Sequence, residues 1–238
     1  MNASLFQVSL LQALALGDYD GKVSLEELKR HGDIGVGTFD GLDGEMIMLD
    51  GVVYRAAGDG SVSEMGDDAT TPFACVTFAD DAIVEMISVM SLDDFVARMH
   101  PIIEREGINS AYFIKVYGTF TNMTVRSIGK QDPPYRRLVD VLSSEQVVWD
   151  QKGIAGTVVG LYCPSYMSKM NNHGWHLHFI SSDRKYGGHI LDLNVKGADC
   201  MLTKIDSLEV SISDTELFQS LDLSADQEKE IKRIESTL

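Results

Sequence analysis

Gly174-Trp175-His176-Leu177-His178-Phe179-Ile180, a polar turn from Ser181 to Gly188, and His189-Ile190-Leu191-Asp192-Leu193-Asn194-Val195 read as two strands around a turn. Residues two apart in a strand share a face. His176 and His178 therefore project together, while Trp175, Leu177 and Phe179 fill the opposite, apolar side. His189 begins the second strand, and antiparallel pairing swings it beside the first two. Three converging imidazoles form a half-shell that leaves coordination positions open, as catalytic zinc requires. Zinc suits imidazole, and copper, nickel and iron remain chemically open. His173 lies three residues before His176, on the other face by strand alternation, and reads as a loop histidine.

Outward from this hairpin, strands dominate. Met46–Leu49 and Val52–Arg55 flank the hairpin turn Asp50-Gly51. Phe73–Phe78, Thr157–Cys163 and Ser207–Ile212 read as further strands, and Ala111–Val116 and Thr119–Val125 as a pair around Gly118. Helices are expected over 5–16, 24–30 (opened by the capping box Ser24-x-x-Glu27), 91–106, 135–142 and 224–235. Strands are not regularly followed by helices, which excludes a doubly wound fold. The expected class is α+β, with mixed and antiparallel β-sheets, flanking helices and two β-rich subdomains. The subdomains would be 1–145, and 146–238 carrying the metal ligands and a C-terminal helix.

The 238 residues suffice for a sizeable core, and 44% hydrophobic with 24% charged residues is ordinary globular composition. Thirty-six acidic against 20 basic residues give a net charge of −16, which repels phosphate backbones and anionic lipid. Neither nucleic acid nor membrane is an expected partner. Cys75, Cys163 and Cys200 form no CxxC pair, so a thiolate zinc site is not expected and reduced thiols in the cytoplasm are. The apolar run Val8–Leu16 lacks a preceding Lys or Arg and is interrupted by Ser9 and Gln12, so it reads as a helix rather than a signal peptide. Asp18 to Glu27 mimics the later part of an EF-hand loop, but Leu16 would occupy the first ligand position; a turn and a capped helix are the expectation. Two residues leave alternatives open. Glu45 is either a strand-edge charge or a carboxylate aimed into a pocket. Arg126 is either a surface residue or a fork that clamps a carboxylate.

The chain resembles the α-acetolactate decarboxylase family. The resemblance rests on His31-Gly32-Asp33-Ile34-Gly35-Val36-Gly37-Thr38-Phe39, Leu42-Asp43-Gly44-Glu45-Met46-Ile47, Leu49-Asp50-Gly51, Val125-Arg126-Ser127 and Pro134-Tyr135. The hairpin Gly174–Phe179 with Asp183-Arg184 and Gly187-Gly188-His189 completes it, from about residue 5 to 235. The resemblance implies that His176, His178 and His189 bind Zn2+, that Glu45 and Arg126 are catalytic, and that Thr38 and Arg126 contact substrate. It implies a further glutamate from the C-terminal tail, for which Glu235 is the matching position. The implied reaction is decarboxylation of (S)-2-acetolactate to (R)-acetoin and CO2 in acetoin and butanediol biosynthesis. Zinc would act as Lewis acid for an enediolate in a cytoplasmic homodimer. The family's Asn-Val-Pro-Gly approach to the first ligand is here Asn171-Asn172-His173-Gly174, which keeps the glycine and loses the proline. A cupin-like metal-dependent isomerase or oxygenase shares the His-x-His hairpin. Cupins place a glutamate soon after that pair, however, where this chain has Ser181, Ser182 and Asp183. A calcium- or small-molecule-binding module has only the EF-hand fragment in its support.

Overall fold

The computed structural model describes residues 3–79, 83–224 and 231. Strand β1 (Ala3–Val8) leads through Ser9 into the five-residue helix α1 (Leu11–Ala15), every residue of which is buried. The helix expected over 5–16 is thus split. Leu5-Phe6-Gln7-Val8 is a short apolar run that suits a buried strand as well as a helix, and it finds a partner strand on each side. Next come β2 (Val23–Ser24) and α2 (Leu25–Leu28), whose first turn is capped by the Ser24 hydroxyl accepting from the Glu27 amide at 3.2 Å. The EF-hand-like segment is accordingly a turn and a capped helix, and Asp18 within it is buried and accepts from the Thr215 hydroxyl at 2.6 Å.

Strands β3 (Ile34–Thr38), β4 (Glu45–Leu49) and β5 (Val52–Ala56) follow. Asp50 and Gly51 make the expected two-residue turn, at φ 52° and 77°. β6 (Val62–Glu64), β7 (Thr70–Thr71), β8 (Ala74–Thr77) and β9 (Ile83–Ser91) lead into α3 (Leu92–Glu106). A reciprocal capping box of Ser91 and Asp94 opens α3, and its stripe Phe95, Met99, Ile102 and Ile103 is buried. Ser91→Ala is expected to cost about 1 kcal/mol, measurable as a lower urea midpoint with an unchanged slope.

β10 (Tyr112–Ser127) is one strand of 16 residues, not two strands around Gly118. Gly118 is there because neighbouring strands crowd it: a Cβ would meet the Ala198 Cβ at 2.4 Å. After β10, α4 (Leu138–Glu145) starts three residues later than expected. Tyr135 packs edge-on against Tyr19 at 5.1 Å and donates to Asp20 at 3.1 Å instead of entering the helix, and Arg137 takes the extended N-cap conformation. β11 (Val147–Cys163), β12 (Gly174–Ser181), β13 (Gly187–Ser211) and α5 (Glu216–Ser220) complete the described chain. The separate strands expected at 189–195 and 207–212 are two ends of the 25-residue β13. The helix expected over 224–235 falls largely outside the described residues.

Eleven strands form one mixed sheet in the order β10-β11-β12-β13-β1-β8-β3-β4-β5-β6, with β9 also paired to β13; β2 and β7 pair separately. This is the expected α+β class. β13 joins the sheet's two ends: its first part runs antiparallel to β10, β12 and β9, and its last part runs parallel to β1. Among the described strands this is the one parallel pairing. Helix α3 packs over one face, where Phe95 meets Trp175 at 5.9 Å between ring centroids and the cluster includes Leu177, Phe179 and Ile190. Helices α1 and α4 pack against each other within a second cluster that includes Leu11, Leu14, Leu138, Leu142, Val159 and Leu161.

Candidate metal centre and active site

The hairpin read from the sequence places all three histidines as their alternation requires. His176 and His178 lie on β12, and His189 on β13 sits directly opposite His178 in the antiparallel register. Trp175, Leu177 and Phe179 turn instead toward the α3 side. The turn between the strands is held by the Ser181 hydroxyl, which donates to Asp183 at 2.7 Å and accepts from the amides of Lys185 and Tyr186. Tyr186 extends the brace, its hydroxyl donating to the carbonyls of Trp149 at 2.7 Å and Met123 at 3.2 Å. Gly188 has φ 148°, and a Cβ there would stand 2.4 Å from the Arg126 carbonyl oxygen. Its missing side chain lets β13 close onto β10 where Arg126 faces His189 across the ladder.

One nitrogen from each of His176, His178 and His189 lies within 4.8 Å of the other two. The Nε2 atoms of His176 and His178 are 3.0 Å apart. Two nitrogens bound at zinc's usual length in a tetrahedral array stand about 3.3 Å apart, so this pair needs little adjustment to share an ion. The Met46 carbonyl accepts from His178 Nδ1 at 2.8 Å. A carbonyl can only accept, so Nδ1 carries the proton and Nε2 turns its lone pair toward the space shared with His176 and His189. Burial, with Arg126 adding, pushes the His176 imidazole down to about 3; burial and its neighbour His176 hold His178 well below its ordinary value. Both are neutral at neutral pH, the form that binds metal. Three buried imidazoles, with His176 and His178 neutral and His178 oriented by the Met46 carbonyl, fit a zinc ion.

Those depressed values set a sign for stability in the metal-free protein. Between about 3 and the ordinary 6.5, the unfolded chain binds a proton at His176 that the folded chain does not. That stability is fully present above 6.5 and is lost as pH falls toward the folded value. Metal-free protein should melt progressively lower from pH 7 to pH 4, and His176→Asn should make the fall shallower. An equal slope in the variant would show that His176 is not the neutral buried group described.

Other site residues converge on the same place. Thr38, at the end of β3, faces Glu45 at the start of β4, and the Thr38 hydroxyl donates to the Gly44 carbonyl at 2.7 Å. A Glu45 carboxylate oxygen lies 3.4 Å from His178 Nε2, with the side chain 14% exposed. Arg126 ends the inner run of β10 and is only 3% exposed. Thr38, Glu45, Arg126, His176 and His189 line one cavity, and fully buried His178 stands behind them. Glu45 and Arg126 are thus pocket residues, not surface charges. His173 is exposed in the bend before β12, as a loop residue. Glu235 lies outside the described residues.

Sequence reading missed three contributors. The Met46 carbonyl that orients His178 is backbone, which carries no residue signature. Leu11 and Leu14 of α1 and Leu138 and Leu142 of α4 line the cavity together with the polar groups, yet look like any core leucines in the sequence. The approach to β12 is anchored by Asn171, which donates to the Gln7 side chain at 3.0 Å and caps the Asn172 amide at 2.7 Å. Asn172 in turn donates to the Trp175 carbonyl at 3.2 Å, so side-chain bonds hold this segment where the proline is lost.

The profile of the family described as alpha-acetolactate decarboxylase matches residues 5–225. The chain is 39% identical over 242 aligned residues to the alpha-acetolactate decarboxylase of Methanosarcina mazei, covering 98% of this chain and 81% of that protein. It is 36% identical to the one from Lactococcus lactis subsp. lactis, covering 93% and 94%. The crystal structure of alpha-acetolactate decarboxylase from Bacillus subtilis superposes with a TM-score of 0.94 at 29% identity, covering 98% of this chain and all of that one. The match runs from β1 past α5 and takes in the histidine hairpin, Thr38, Glu45 and Arg126, so the chain belongs to the alpha-acetolactate decarboxylase family.

Proposed function

We propose that this enzyme, a carboxy-lyase by its family, converts (S)-2-acetolactate to (R)-acetoin and CO2 in acetoin and butanediol biosynthesis, using a zinc ion held by His176, His178 and His189. The observation that carries this reading is one cavity in which two of the three clustered imidazoles meet a carboxylate, Glu45, and a buried guanidinium, Arg126. Zinc bound there supplies Lewis acidity toward the electron pair left on the substrate when CO2 departs. Arg126 binds the substrate carboxylate through its planar fork and holds it until the C–C bond breaks. Thr38, tied to the Gly44 carbonyl, fixes the backbone that presents Glu45. The leucines of α1 and α4 keep water from the reacting carbon, which strengthens each charge interaction inside.

The carbon that loses CO2 must gain a proton on one face. Glu45 in the cavity wall, or Glu235 from the C-terminal tail, delivers it. Glu45→Gln and Glu235→Gln, assayed with chiral separation of the acetoin, distinguish them. The variant lacking the donor should lose about 10²- to 10⁴-fold in turnover and release racemic product, with its zinc retained. Two variants that both release only (R)-acetoin would remove carboxyl protonation from the account.

Cytoplasmic location is supported by three buried cysteine thiols, Cys75, Cys163 and Cys200. No helix among the described residues is long and apolar enough to cross a membrane. Segments 1–145 and 146–238 act as one functional unit, since Arg126 and Glu45 come from the first and the histidines from the second. A homodimer completes the proposal, testable by light scattering. The reading as a whole is tested by offering racemic 2-acetolactate to the purified protein. One enantiomer should be consumed as (R)-acetoin appears, and absence of acetoin would overturn the reading.

A further inference from the structure

The cavity is divided by chemistry. Its lining combines the polar groups Thr38, Glu45, Arg126, His176 and His189 with apolar side chains that include Leu11 and Leu14 from α1 and Leu138 and Leu142 from α4. These leucines are spaced three and four residues apart, which puts each pair on one helix face. All four are nearly fully buried. The two helices are short, five and eight residues, belong to no strand, and pack on each other. Their leucine faces therefore supply a large part of the cavity's apolar lining, beside Leu42, Phe73 and Ile128.

The carboxylate, hydroxyl and ketone of the proposed substrate call for the polar part of this lining. Only its alkyl groups are left to meet the leucines. We infer that Leu14 and Leu142, with Leu11 and Leu138 in the same lining, form the wall that measures the alkyl substituent of a 2-alkyl-2-hydroxy-3-oxo acid and favours methyl over longer chains. This rests on the proposed decarboxylase function and adds residues that set its specificity. One methylene more or less in an apolar pocket changes discrimination by about 10- to 200-fold. A packed wall resists the extra carbon because interiors are dense and yield little.

The test compares kcat/KM for two substrates, 2-hydroxy-2-methyl-3-oxobutanoate and its 2-ethyl homologue, in three variants. Leu14→Ala and Leu142→Ala should each raise the ethyl-to-methyl ratio about ten-fold or more. Val141→Ala serves as control: Val141 is fully buried in the same helix and the same apolar cluster but does not line the cavity. Its ratio should stay within about two-fold of the parent. Should the alanine variants not fold, Leu14→Val and Leu142→Val must shift the ratio in the same direction. Ratios that stay put in the leucine variants, or shift equally in Val141→Ala, overturn the wall while leaving the decarboxylase reading intact. A parent enzyme inactive on both compounds overturns the two together.

Discussion

His178→Ala should strip the protein of zinc and of decarboxylase activity in one step. His178 is the most enclosed of the three histidines, with no exposed surface, and its tautomer is fixed by the Met46 carbonyl. Removing it leaves two imidazoles, one fewer than a catalytic zinc site usually offers. It also leaves the Met46 carbonyl facing an empty space. Metal content should fall from about one zinc per chain to a small fraction of that. Acetoin formation should fall at least about 10³-fold, since loss of the Lewis acid removes several kcal/mol of barrier lowering. Elemental analysis and a discontinuous acetoin assay on the same preparation check both. Full activity in a metal-free His178→Ala protein would end the account of the site.

Arg126→Ala should leave zinc bound and cost about 10²- to 10³-fold in kcat/KM, the scale of losing one charged donor in a water-poor site. Arg126 is 3% exposed and stands across the ladder from His189, so its charge acts in a low-dielectric setting. Arg126→Lys keeps the charge but not the planar fork, and should recover only part of the loss. The guanidinium also helps depress the His176 imidazole. Its removal should therefore ease protonation of that imidazole somewhat, burial remaining the larger cause of the depression. A variant with parent kcat/KM would place the carboxylate elsewhere in the cavity.

Much of this site is legible in the chain because strand alternation is a local rule. The spacing of His176 and His178 and the start of a new strand at His189 are enough to bring three rings together. Glu45 and Arg126 carry no such rule. Each ends or begins an apolar run, and only the closure of β4 and β10 around the hairpin turns them inward. The helix expected over 5–16 failed for a related reason. Whether Leu5 to Val8 pairs as a strand depends on β13 some 200 residues away, which no local period records. Gly118 misled because glycine serves turns and close strand contacts alike, and the crowding from Ala198 is visible only once β10 and β13 are paired. The sheet class, by contrast, follows from strand-rich patterning without regular intervening helices.

The central claim is metal-dependent decarboxylation at the histidine triad. It is tested most directly by acetoin released from racemic acetolactate by the purified protein, after chelation and again after zinc is restored. The account predicts that acetoin formation disappears with the metal and returns with it. Undiminished acetoin formation by protein shown to be metal-free would contradict it.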